Sequence, residues 1–214
     1  MVVLVPLLAA LLVTAVLARV AADRSSPVAA SNLLGGVELA GVVLGEPRPR
    51  PDFTLTDTEG RPFDFRAKTQ GRLTLLFFGY TSCPDMCPIH LATLAGALAR
   101  SGMPRPVVVF VGIDPARDTP EAVRAFLDRF DRRFIGLVGT PEELARAQEA
   151  AGIPAAVVEP GGDEDDYLVG HATQVMAYTA DDLGHVVYPF GTRQHDWAHD
   201  LPLLAAGFGA VGGR

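Results

Sequence analysis

Cys83 and Cys87 are the two cysteines of a 214-residue chain, and they lie in the segment FFGYTSCPDMCP at residues 77–88. Thiols separated by three residues can close to a disulfide and exchange electrons, or hold a soft metal ion as thiolates. A purely structural staple suits the spacing poorly. Closing so short a loop gains about 2 kcal/mol in the chain-entropy account, against roughly 4.7 for a 100-residue loop. An apolar run at residues 73–78 leads into the pair, and an alanine- and leucine-rich helical pattern at 89–99 leads out. The thiols therefore belong on a strand-to-helix turn, where the unpaired N–H groups of the helix start favour thiolate. Each cysteine precedes a proline, which disfavours helical backbone at both. Pro88 suits a first helical turn. The expectation is a looped pair with the helix beginning near Pro88.

Metal capture needs a third donor, and the chain offers five histidines and four methionines. His171 stands out because it joins the acidic segment at 160–166 to an apolar run at 174–179. His90, on the helix after the thiols, reads as a solvated helix residue. His185 follows a hairpin turn, and His195 and His199 have i, i+4 spacing with no evident third ligand. Met86, between the cysteines, reads as packing or solvent-facing. Two thiolates and an imidazole form a soft set that suits copper in either common oxidation state. Zinc would want a fourth ligand or water. Asp114 ends the next strand; it either orients a ligand as a hydrogen-bond acceptor or turns the chain before Pro115.

Continuous apolar runs of strand length at 73–78 and 106–113 read as strands buried on both faces. Thr119 or Asp118 followed by Pro120, and Thr140 followed by Pro141, are helix-start signatures. Phe53 and Leu55 are expected to pair with Phe63 and Phe65 across a turn at 58–60. Strands are also expected at 134–138 and 155–159, and a hairpin at 174–190. A last helix spans about 194–206, with Pro202 a candidate break. Strands alternating with helices and closing on a hairpin and helix indicate an α/β, thioredoxin-like sandwich with a mixed central sheet. In that layout the His171 junction faces the cysteine turn. Redox members of the fold normally place a cis-proline there, and this chain has no proline between Pro160 and Pro189.

Net charge is −7, and Lys68 is the single lysine; nothing offers a basic face for nucleic acid. Residues 2–18 are apolar apart from Pro6 and Thr14 and end at Arg19. This predicts an N-terminal hydrophobic helix in residues 1–22, favoured as an uncleaved membrane anchor over a cleaved signal, with the globular part exported. Residues 23–45 read as a flexible linker and the Pro-Arg alternation at 47–51 as its extended end. The domain is placed at 46–206 and a tail at 207–214.

The assembled motifs resemble the SCO/SenC family of copper-binding assembly factors for cytochrome c oxidase. The resemblance covers about residues 45–204 and rests on Cys83-Pro-Asp-Met-Cys87-Pro, on IDPARDTP at 113–120 and on DDYLVGH at 165–171. It implies Cys83, Cys87 and His171 as copper ligands, with Cys83 and Cys87 also a redox-active disulfide. It further implies a thioredoxin-like fold tethered by one N-terminal helix, with the domain outside the cytoplasm, most simply in a bacterial periplasm. The expected activity is copper delivery to the CuA site of oxidase subunit II, aided by a thiol reductant and a copper donor. Two alternatives stay open: a thiol–disulfide oxidoreductase acting on the oxidase cysteines, and a copper- or redox-sensing binding module. The chain departs from the family pattern at Gly170, Ser82 and Met86, where an aspartate, an aromatic and a smaller aliphatic residue are usual.

Overall fold

The structure is a computed structural model that describes residues 33–34, 36–100, 105–159 and 167–207. These residues fall within one compact unit. The expected N-terminal helix, the first part of the expected linker, the acidic segment at 160–166 and most of the tail lie outside the described residues.

Two short strands, β1 (Leu33–Leu34) and β2 (Val37–Glu38), pair with each other and precede β3 (Val42–Pro49). A hairpin of β4 (Thr54–Asp57) and β5 (Pro62–Asp64) leads into α1 (Phe65–Thr69). The central unit is β6 (Thr74–Gly79), α2 (Met86–Arg100) and β7 (Val107–Gly112). Next come α3 (Pro120–Asp128), β8 (Ile135–Val138) and α4 (Pro141–Ala150). A separate hairpin pairs β9 (Val157–Glu159) with β10 (Leu168–Gly170). The described chain closes with β11 (Val175–Tyr178), β12 (Leu183–Tyr188) and α5 (Gln194–Ala206).

The main sheet has the order β3-β12-β11-β6-β7-β8-β4-β5. Strands β6, β7 and β8 are parallel, and β11, β12 and β3 extend one side antiparallel. Every residue of β6 and β7 is buried, as their unbroken apolar runs require. Phe77 and Phe110 meet edge to face at 5.7 Å, and Trp197 of α5 lies on Tyr188 at 4.1 Å. This is the expected α/β arrangement with a mixed sheet. The Thr119 and Thr140 hydroxyls cap α3 and α4, each with proline at the first position.

Four local expectations change. The Pro-Arg run is not a tether: β3 is an edge strand on β12, and an edge is where a sheet tolerates prolines such as Pro47 and Pro49. The fold therefore begins well before residue 46. Phe65 opens α1 rather than extending β5, although its N–H still bonds Phe53 O at 2.9 Å and the two rings stack at 4.8 Å. Helix α2 starts at Met86, so Cys87 lies inside its first turn; Pro88 costs little there because first-turn N–H groups have no intrahelical acceptor. Helix α5 continues through Pro202, held by the burial of Trp197, Leu201 and Leu204.

Arg50 shows why β3 is integral. Its side chain is 1 % exposed and donates to Asp182 Oδ1 (2.8 Å), Thr69 Oγ1 (3.0 Å), Arg72 O (2.9 Å) and Thr179 O (2.9 Å). One guanidinium thus ties the end of β3 to α1, β6 and the β11–β12 turn. Arg50→Ala should lower unfolding free energy by about 3–5 kcal/mol, because it removes four hydrogen bonds of a buried guanidinium and leaves the buried Thr179 carbonyl without that donor. Urea unfolding of the full chain measures it, and a loss below about 1 kcal/mol would place β3 outside the cooperative core.

Candidate metal centre

Strand β6 ends at Gly79 beside Gly112, the end of β7. A Cβ on Gly79 would sit 2.8 Å from the Phe110 ring and 3.0 Å from Cys87 Sγ, so the absent side chain lets the sulfur rest on the strand end. A Cβ on Gly112 would meet Asp118 at 2.9 Å. Asp118 is buried, and its Oδ1 accepts from the Thr81 N–H (2.9 Å) and hydroxyl (2.7 Å) while Oδ2 accepts from the Asp114 N–H (3.0 Å). The thiol turn is thereby fastened to the loop after β7. Burial raises the Asp118 carboxyl above the usual range, and these hydrogen bonds oppose that rise. Sequence reading gave Asp118 only a possible capping role, which Thr119 performs instead. The available signal was its place four residues after Asp114, just past a buried strand.

The thiols themselves are reduced and buried. Asp85 Oδ1 accepts from the Met86 N–H at 2.6 Å, opening the first turn of α2. The Cys87 N–H points at Cys83 Sγ at 3.4 Å. The Cys83 thiol is brought down to about 5, first by a hydrogen bond from the Cys87 thiol, with the Cys87 and Asp85 N–H groups and nearby His171 adding to it and burial opposing. Cys87 is pushed strongly up, first by that same bond to Cys83 and then by burial. One proton is therefore kept on Cys87, between two sulfurs, and Cys83 is the thiolate.

His171 follows β10 directly. Its Nδ1 lies 3.0 Å from Ala172 O, and donation to that carbonyl leaves Nε2 with its lone pair free, 3.8 Å from Cys87 Sγ. The two sulfurs and the imidazole nitrogen all lie within 4.8 Å of one another. Ligand atoms about 2.2 Å from a shared ion in a trigonal plane would stand roughly 3.8 Å apart, so this set needs little adjustment to hold one metal.

Asp114 does not spend its carboxylate on a ligand. It pairs with Arg117 and accepts from the Tyr167 hydroxyl at 2.7 Å. Arg117 donates to Tyr167 O at 3.1 Å and lies over the Tyr167 ring at 3.7 Å. The pair therefore anchors the segment that leads through β10 to His171, one step further out than expected. His90 is not solvated: it is 2 % exposed among Phe77, Phe190 and Trp197. Burial lowers it to about 4, with the Thr173 backbone opposing, so it is neutral at physiological pH. His185, His195 and His199 pair with Asp181, Asp196 and Asp200. Met86 is half-buried against the edge of the core. Among the described residues, no helix is long and apolar enough to cross a membrane.

The sequence profile of the SCO1/SenC family matches residues 44–205, nearly the whole described unit. The chain belongs to the SCO1/SenC family. A Stutzerimonas stutzeri relative, provisionally named a copper-binding protein, is 34% identical over 178 residues, which cover 81% of this chain and 82% of that protein. The bovine mitochondrial SCO2 homolog is 32% identical over 136 residues, covering 62% of this chain and 50% of the bovine one. This SCO1/SenC chain thus spans half the length of that relative. Among solved structures, Bradyrhizobium japonicum ScoI with copper bound is 30% identical, with a TM-score of 0.64; the match covers 75% of this chain and 99% of that one.

The shared proton has a measurable signature. Thiolate absorbance of the reduced full chain should rise with one midpoint near pH 5, from Cys83, and show no second thiolate up to pH 9. Cys87→Ser replaces the thiol donor with a hydroxyl and should move that midpoint up; a single midpoint near 9 in the parent chain would contradict the arrangement.

Proposed function

We propose that the chain is a metallochaperone: Cys83, Cys87 and His171 bind one copper ion and pass it to the CuA site of cytochrome c oxidase subunit II. The observation that carries this reading is the convergence of two reduced sulfurs at the start of α2 and an imidazole just after β10 within 4.8 Å. Two thiolates with an imidazole suit copper better than the hard cations, and among the described residues no fourth protein ligand closes the set as a structural zinc site would. The copper-bound ScoI relative supports the choice of ion.

The chain's own residues divide the work. Cys83 is anionic in advance, so capture displaces a single proton, from Cys87. The Ala172 carbonyl orients the imidazole. Closing the pair to a disulfide removes two electrons and two protons from the thiols and withdraws both sulfur donors, so redox state gates loading. Ile89 on α2 and Leu168 on β10, two and three residues from ligands, are exposed apolar side chains that a docking acceptor would cover. The reading also places the domain outside the cytoplasm, held to the membrane by residues 1–22, with a copper donor and a thiol reductant as further partners.

The low-lying Cys83 thiol favours one rival, a thiol–disulfide oxidoreductase that reduces the CuA cysteines. A copper- or redox-sensing module would hold the ion without passing it on. Copper-loaded full chain mixed with an apo CuA domain separates the three. Transfer that is lost in Cys83→Ser, Cys87→Ser and His171→Ala, with affinity down by more than about 100-fold in each, is the expected result. Turnover on a disulfide acceptor without copper and unaffected by His171→Ala would favour the oxidoreductase, and retention of copper beside the acceptor would favour the sensor.

A further inference from the structure

A cleft of about 440 Å³ lies between the β4–β5 turn, Lys68 of α1, Arg124 of α3 and the start of β8. Ile135 and Gly136, which open β8, line it. Strands β6 and β7 run parallel to β8 and reach the thiols at their far ends, Gly79 and Gly112. The cleft is therefore at the opposite end of the sheet from the sulfurs. Five cations line it, Arg61, Lys68, Arg124, Arg132 and Arg133, against two carboxylates, Asp57 and Glu59. Over the whole chain carboxylates outnumber cations by 25 to 18, so the cleft reverses the sign of the protein around it.

Pairing does not cancel this excess. Arg61 holds Asp57 (3.1 Å) and Glu59 (2.8 Å), Arg133 holds Asp131 (2.8 Å), and Arg124 Nε lies 2.9 Å from Asp128 Oδ1. Asp131 also pairs with Arg105 at 3.0 Å. Six cations then meet four carboxylates, and Lys68 and Arg132 have no ion-pair partner among the described residues. Arg124 is the most buried of the lining cations. Its Nη1 donates to Phe134 O at 2.8 Å, while its Nη2 is shut from water without a hydrogen-bond partner. A buried guanidinium N–H without an acceptor is costly, and a ligand oxygen at the cleft wall would supply one. Phe63 and Phe134, 8 % and 2 % exposed, form an apolar part of the lining that strengthens attraction for an anion.

We propose that this cleft binds a phosphate monoester, with Lys68, Arg124 and Arg132 holding the phosphate. The local surplus of two positive charges matches the charge of about −2 that a monoester carries at neutral pH. Guanidinium forks suit phosphate oxygens in pairs. The volume falls within the range of small-molecule sites, about 300–1,000 Å³, which leaves room for an organic body beside the phosphate. A soluble ester and an anionic lipid head group offer the same chemistry; the ester fits the charge better, because a head-group phosphodiester carries a single negative charge. No ligand of the metal centre lines the cleft, so the inference stands apart from copper binding.

The test is calorimetric titration of the copper-free full chain with glycerol 3-phosphate. One saturable site with Kd of about 1 mM or tighter is expected. Lys68 and Arg132 are exposed and unpaired, so Lys68→Ser and Arg132→Ser should fold as the parent does and each weaken binding about tenfold. Arg146→Ser removes an exposed charge from α4 outside the cleft and should leave affinity within about twofold. Dihexanoyl phosphatidylglycerol, kept below its micelle concentration, is the second arm. Binding of this lipid in place of the ester, with the same loss in Lys68→Ser and Arg132→Ser, would keep phosphate as the ligand and assign it to a head group. No saturable binding of either probe, binding that survives Lys68→Ser and Arg132→Ser unchanged, or equal weakening in Arg146→Ser would overturn the proposal.

Discussion

Two sulfurs share one proton at the first turn of a helix, and the surrounding structure exists to keep that arrangement facing an imidazole. Cys83 is anionic because the Cys87 thiol and the N–H groups of Asp85 and Cys87, at the helix start, favour its charged form. That places negative charge where the helix start already favours it. The two bare strand ends, Gly79 and Gly112, are consequences of the same constraint. Cys87 must rest against the sheet for its thiol to reach Cys83, and any side chain at Gly79 would occupy that space.

The imidazole comes from a different part of the fold. Among the described residues, strand β10 pairs with β9 alone, in a hairpin separate from the main sheet. It is held to the thiol half by the buried Val169 side chain and by Asp114 and Arg117 on Tyr167. The thiol half, in contrast, sits on the fully buried β6–β7 pair.

Much of the site was legible because its chemistry is local. The Cys-x-x-x-Cys spacing, the strand before it and the helix after it can be read within about twenty residues, and His171 was marked by its junction between an acidic segment and an apolar run. The central strands and the caps of α3 and α4 followed from equally local patterns. What escaped notice depends on distant partners. Arg50 looked like a linker charge because Asp182, its partner, is 132 residues away. His90 looked solvated because nothing nearby in sequence announces that Phe190 and Trp197 cover it. Asp118 looked like a helix cap because its bond to Thr81 spans 37 residues. The start of α2 was misplaced by two residues because proline rules describe helix interiors, while Cys87 and Pro88 lie in a first turn.

The central claim is that one ion is held jointly by both parts, two sulfurs from one and a nitrogen from the other. X-ray absorption at the copper edge of the Cu(I)-loaded full chain reads that shell directly. The account expects two sulfur neighbours and one imidazole nitrogen, with the nitrogen lost in His171→Ala. A shell of sulfur alone in the parent chain, or a nitrogen that persists in His171→Ala, would contradict it.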